Sequence, residues 1–140
     1  MFDLPIKSVM ERKKFLAVSP DKTVAQAARL MAGKNTGAIL IVTDDQLVGI
    51  FTERDLVFRV IAKGLEPKTT LLRDVMTTEV KTLSADQSYG HALVIMQENG
   101  FRHVPVMEHG HAIGIISSRN AMDPDLDEFI TDERRRVHYQ

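Results

Sequence analysis

The chain has 140 residues, with 18 Lys plus Arg against 19 Asp plus Glu and 44% hydrophobic residues. This is globular composition, not that of a disordered chain, at a length that can bury a real core, and the net charge of -1 argues against a general nucleic-acid binder. Cysteine is absent, which removes disulfide frameworks, thiol nucleophiles and Cys-ligated zinc and fits a reducing compartment.

The opening segment, MFDLPIKSVMERKK, has no apolar signal core, and the longest aliphatic runs, such as Ala38–Val42, fall far short of the roughly 20 residues needed to cross a bilayer. A soluble, cytoplasmic protein is expected. A first strand is expected at Phe15–Val18, and the turn SPDKT leads into a helix with apolar spacing at Val24, Ala27, Ala28 and Met31. Gly33 is expected to stop that helix. Two apolar runs follow, Ala38–Thr43 and Leu47–Phe51, joined by the polar link Asp44-Asp45-Gln46, and read as a hairpin. A second helix opens at Thr52.

The same series then begins again. Val9-Met10 matches Val75-Met76, and with an ungapped offset of 65 Ser19-Pro20-Asp21 meets Ser84-Ala85-Asp86, Met31 meets Met96, and Gly49-Ile50 meets Gly114-Ile115. The second copy supplies a strand at Val80–Leu83, a helix carrying Ala92, Leu93 and Met96 that stops at Gly100, a hairpin of His103–Met107 with Ala112–Ile116, and a helix opening at Ser117. The fold class is α+β, two pseudo-symmetric β-α-β-β-α repeats packed sheet to sheet, because one copy is too small to bury its sheet alone. The divisions are 5–65, 70–122 and a terminal helix over 123–140. In that last segment Asp123 caps, Pro124 takes the first position and Arg134-Arg135-Arg136 suit the negative end of the dipole.

The repeated corner carries the chemistry. GIFTERDL, from Gly49 to Leu56, returns as GIISSRNA, from Gly114 to Ala121. Thr52 and Asp55 have the spacing of a capping box, which explains them structurally. It does not explain Arg54 and Arg119, cations in a first turn that opposes them by a few tenths to about 1 kcal/mol. An anion at each corner would, since arginine offers phosphate a bidentate fork and the threonine hydroxyl another donor. Asp55, repelled by phosphate, suits a vicinal diol, and anion plus diol describes a ribonucleotide.

These residues resemble a tandem pair of CBS domains, a Bateman module, through the paired VM starts, AVSPDKTVAQAARLM, GIFTERD, DVMTTEVKTLSADQS, ENGFRHVPVM and GIISSRN. The resemblance covers about residues 5 to 122 and implies a free-standing regulatory module. Such pairs bind adenosine derivatives (AMP, ADP, ATP, S-adenosylmethionine or NADH) in two clefts between the repeats, and dimerise through helices. By position, the first cleft would use Ile50, Thr52, Arg54 and Asp55, with Val80, Lys81 and Thr82 near the base and Arg102 and His103 near the phosphate. The second would use Ser117, Arg119 and Asn120, with Phe15, Leu16, Ala17, Gly37 and Ala38 as its far wall. There an amide replaces the acid and Gly37-Ala38 replaces Arg102-His103. Hydrogen bonds to charged groups contribute about 1.5–3 kcal/mol against about 0.5–1.5 for neutral ones, so the Asp55 cleft is expected to be the strong site and the Asn120 cleft weak or empty.

Alternatives bear on single residues. Lys81 also reads as an exposed strand residue. His109-Gly110-His111 offers only two ligands in a turn, so no metal site is expected. No carboxylate pair, nucleophile motif or metal set marks an enzyme. The expected reading is a cytoplasmic adenine-nucleotide sensor that forms a homodimer and acts on a protein target. Nucleic acid and membrane are not expected partners. The alternative is a ligand-free interaction module that dimerises and docks a partner.

Overall fold

The computed structural model describes residues 2–10, 15–117, Glu133, Arg135 and Arg136. The elements in order are α1 (Ile6–Val9), β1 (Ala17–Val18), α2 (Val24–Lys34), β2 (Ala38–Thr43), β3 (Gln46–Thr52) and α3 (Glu53–Asp55). A π-helical segment (Leu56–Ile61), α4 (Leu72–Val75), β4 (Leu83–Ser84), α5 (Tyr89–Asn99), β5 (His103–Glu108) and β6 (His111–Ser117) follow. There are two three-stranded sheets, β1-β2-β3 and β4-β5-β6, each with its first pair parallel and its second antiparallel. The repeated α+β architecture expected from the sequence is present.

Local sequence explains the elements. Thr23 closes a capping box with Gln26 at 3.2 and 2.9 Å, and Ser88 accepts from the His91 N–H at 3.2 Å. Both hairpins turn through two left-handed residues, Asp44-Asp45 and His109-Gly110, the twist that matches antiparallel strands. Gly33 does not end α2. The helix runs on to Lys34, and Asn35, at φ 51°, is the left-handed cap. In the second repeat Gly100, at φ 66°, takes that place, as expected.

The first strands are shorter than the sequence suggests, Ala17–Val18 instead of Phe15–Val18 and Leu83–Ser84 instead of Val80–Leu83. Pro105 explains part of the second difference. In the first sheet the Leu40 N–H donates to the Leu16 carbonyl at 2.9 Å. Pro105 stands in the corresponding place, opposite Ile115 as Leu40 is opposite Ile50, and has no N–H to give.

Each sheet is covered on both faces. In the first, Ile39, Ile41 and Phe51 pack with Val24, Ala27 and Met31 of α2, while Ala38, Leu40 and Ile50 form a second cluster on the opposite face. That cluster is joined by Phe15, Leu47, Val80, Ala112 and Ile115, so the two repeats meet sheet to sheet. Burial on both faces is why β2 reads as an unbroken apolar run.

The short helices are exchanged. α1 lies at the start of the first repeat, yet the Ile6 N–H donates to the Gln87 carbonyl at 2.8 Å and Ile6 is buried among Leu83, Tyr89 and Val104. α4 lies at the start of the second repeat, yet the Leu72 N–H donates to the Lys22 carbonyl at 2.9 Å, and Leu72 and Val75 complete the first core. Of the terminal segment, Glu133, Arg135 and Arg136 are helical, with Arg136 paired to Glu133 at 3.3 Å. The rest of the terminal helix expected over 123–140 lies outside the described residues, as do Arg119 and Asn120.

Candidate functional site

A cleft of about 710 Å³ opens between the repeats. From the first repeat it takes the end of β3, α3 and the π-helical segment, and from the second it takes Val80, Lys81 and the approach to β5. Ile50, Thr52, Arg54, Asp55, Val80, Lys81, Arg102 and His103 all line it; Thr82 does not.

Asp55 is the floor of the cleft and is only 7% exposed. The capping box expected from TERD is present, since the Asp55 N–H donates to Thr52 Oγ1 at 3.2 Å and the Thr52 N–H donates to Asp55 Oδ2 at 2.9 Å. The Thr52 hydroxyl also donates its proton to Asp55 Oδ2, at 3.1 Å. On the other oxygen, Thr77 Oγ1 donates to Oδ1 at 3.1 Å and Arg59 Nε lies 3.5 Å away. Backbone bonds in both directions between Ile50 and Thr77, at 3.0 and 2.9 Å, hold that threonine against β3.

The π-helical turn has a local reason. The Ala62 N–H reaches the Val57 carbonyl at 2.9 Å and the Leu65 N–H reaches Val60 at 3.0 Å, both five residues back. The wider turn brings residues five apart nearly into line, so Asp55 and Val60 can both face inward. Val57, Phe58 and Ile61 are each more than half exposed, Val57 and Phe58 at the cleft wall and Ile61 away from it.

Arg54 lies over the Phe58 ring, 4.8 Å from its centre. Arg59 donates to the Met76 carbonyl at 3.1 Å. Four cations, Arg54, Arg59, Lys81 and Arg102, line the cleft with three acids, Glu53, Asp55 and Glu79. Burial pushes the His103 imidazole below its ordinary value; Glu53 opposes that shift and Arg102 adds to it. His103 therefore presents a neutral ring beside its cationic neighbours.

Sequence reasoning passed over Thr77, Phe58, Arg59, Glu53, Glu79 and Phe101, all in the cleft wall. For three of them a signal was available. Phe58 and Arg59 stand four residues after Arg54 and Asp55, the spacing of helical neighbours, and Thr77 follows the repeated VM.

Of the residues assigned to the second cleft, Arg119 and Asn120 lie outside the described residues. Phe15 and Ala38 pack in the cluster between the sheets, and Leu16 packs against the first core. Ala17 is exposed, Ser117 ends β6 opposite His103, and Gly37 backs onto the first cleft. A Cβ on Gly37 would sit 2.9 Å from Glu53 Oε1 and 3.0 Å from His103 Cε1. Among the described residues no group of three or more His, Asp or Glu could hold a metal ion, and no helix is long and apolar enough to cross a membrane.

Comparison with known proteins agrees with this architecture. An uncharacterized conserved protein from Pyrococcus horikoshii superposes with a TM-score of 0.80 at 31% identity, covering 86% of this chain and 90% of that one. A CBS-domain containing protein from Agrobacterium tumefaciens gives a TM-score of 0.77 at 31% identity, over 84% and 96%. An uncharacterized protein from Acidianus ambivalens is 34% identical over 81% of this chain and 69% of its own. The chain spans only 17% of a meiotically up-regulated protein from Schizosaccharomyces pombe, to which it is 35% identical. The CBS domain family model matches twice, at residues 6–62 and 72–124, and the chain therefore belongs to the CBS-domain family as a tandem pair.

Proposed function

We propose that this CBS pair is a regulatory module that binds an adenine ribonucleotide in the cleft over Asp55. One observation carries the reading: a nearly buried carboxylate at the floor of an open cleft, with Lys81, Arg102 and Arg54 exposed around it. The carboxylate accepts from a ribose and the rim cations meet phosphate. The cations favour AMP, ADP, ATP or NADH over S-adenosylmethionine. The CBS pair of protein MJ0100, similar in fold at 20% identity, was solved with 5′-methylthioadenosine and S-adenosylmethionine. That protein's ligands are adenosine derivatives, the same chemical class.

The module regulates without catalysis, in the cytoplasm, by favouring one arrangement of repeats or subunits when the nucleotide binds more tightly to that arrangement. It forms a homodimer through the exposed apolar side chains Val57 and Ile61 of the π-helical segment. The Asp55 cleft is the strong site and the Asn120 cleft the weak one. One observation favours the alternative of a ligand-free interaction module: Asp55 already has hydrogen-bond partners within the chain.

Calorimetric titration of AMP, ADP, ATP, NADH and S-adenosylmethionine separates the two. Micromolar binding of one nucleotide, lost in Asp55→Ala and weakened in the rim variant Arg102→Ala, supports the sensor. No binding to protein shown to be free of carried-over ligand supports the interaction module.

A further inference from the structure

A carboxylate offers about four lone-pair sites, two on each oxygen. Asp55 Oδ2 receives two short hydrogen bonds, from the Thr52 N–H at 2.9 Å and the Thr52 hydroxyl at 3.1 Å. Oδ1 receives one, from the Thr77 hydroxyl at 3.1 Å; Arg59 Nε, at 3.5 Å, is an ionic contact beyond hydrogen-bond length. One acceptor position therefore remains on Asp55, on Oδ1. A vicinal diol has two donors. Asp55 alone cannot take both while its present bonds stand.

The second acceptor is beside the first. Thr77 Oγ1 has spent its single proton on Asp55, so its remaining lone pairs can only accept. It receives no hydrogen bond from another described side chain, and Thr77 lines the same cleft. The paired backbone bonds to Ile50 fix its place.

We propose that Asp55 and Thr77 read the diol as a pair, one hydroxyl donating to Asp55 Oδ1 and its neighbour to Thr77 Oγ1. The proposal rests on the ribonucleotide reading above and assigns a specificity role to a residue 22 positions from the repeated corner. A nucleotide lacking either hydroxyl leaves one of these two acceptors unpaired in a confined site.

The test is titration of AMP, 2′-deoxy-AMP and 3′-deoxy-AMP into wild type, Thr77→Val and Thr77→Ser, with unfolding midpoints to establish that each variant is folded. Wild type is expected to prefer AMP to both deoxynucleotides. Thr77→Val should lower AMP affinity about tenfold, the scale of one hydrogen bond of about 1.4 kcal/mol, and spare only the deoxynucleotide that lacks the hydroxyl Thr77 reads. Thr77→Ser should restore the preference. Equal losses for all three nucleotides, or none, would overturn the pairing while leaving the nucleotide site in place. Failure of AMP to bind wild type would overturn the AMP reading and the pairing together.

Discussion

Leu40 and Pro105 hold the same position in the two sheets, and only Leu40 can donate a backbone bond to the parallel neighbour, at 2.9 Å to Leu16. The counterpart of Leu16 is Lys81, whose segment borders the cleft instead of joining β4. Pro105→Val should supply the absent N–H and extend the ladder. The gained hydrogen bond, about 0.5–1.5 kcal/mol, is offset by the greater freedom of the unfolded chain, about 0.4–1 kcal/mol, so stability should barely move. Hydrogen exchange should show a protected amide at position 105; an amide exchanging as fast as a loop would refute the register.

Thr52 is the cap of the corner helix. Thr52→Ala should cost about 0.5–2 kcal/mol in denaturant unfolding, with Thr52→Ser close to wild type. A loss equally large in the serine variant would mean that the methyl, not the hydroxyl, supports the corner.

Two glycines should respond oppositely to alanine. At Gly49 a Cβ would sit 2.7 Å from Met76 Sδ and 3.0 Å from the Thr77 carbonyl oxygen. The sulfur can move, but the carbonyl belongs to the backbone paired with Ile50, so Gly49→Ala should destabilise by about 1–3 kcal/mol. At Gly33 a Cβ meets nothing within 4 Å, and the residue is inside α2. Gly33→Ala should stabilise by about 0.5–1 kcal/mol. Thermal or urea unfolding of the two variants checks both signs.

His103 should make stability fall on acidification. Its folded-state value is depressed below the ordinary 6.5, first by burial. The unfolded chain therefore binds the proton more readily, and stability present above pH 6.5 is lost as pH falls through the folded value. Urea midpoints of wild type and His103→Gln, compared at neutral pH and just below 6, should converge or cross, with the variant losing less. Parallel pH profiles would remove His103 from that account.

Val57 and Ile61 of the π-helical segment are 52% and 57% exposed. Ile61→Asp should convert the proposed dimer to monomer in sedimentation at micromolar concentration, since a charge in an apolar interface must be desolvated. An unchanged sedimentation coefficient would place the interface elsewhere.

Much of this was legible in the sequence because it is local. Helix entries at Thr23 and Ser88, the hairpins and the Thr52–Asp55 box depend on residues three or four apart, and periodicity marks them. Repetition itself supplied the pairing of sheet with sheet, because neither copy can bury Leu40 or Ile50 alone. Gly33 misled because Asn35, two residues on, also tolerates the left-handed conformation. The terminal positions of β4 depended on a missing donor at Pro105, in another strand.

The sequence by itself determined the repeat, the element types and the acid, hydroxyl and cations of the first corner, since each is written in neighbouring residues. Only the tertiary structure decided that α1 and α4 exchange cores, and that Thr77 and Arg59 close on Asp55. Short apolar segments such as Ile6–Val9 and Leu72–Val75 carry almost the same pattern and would suit either core. Chain connectivity and sheet-to-sheet packing choose between them, and that choice brings residue 77 beside residue 55.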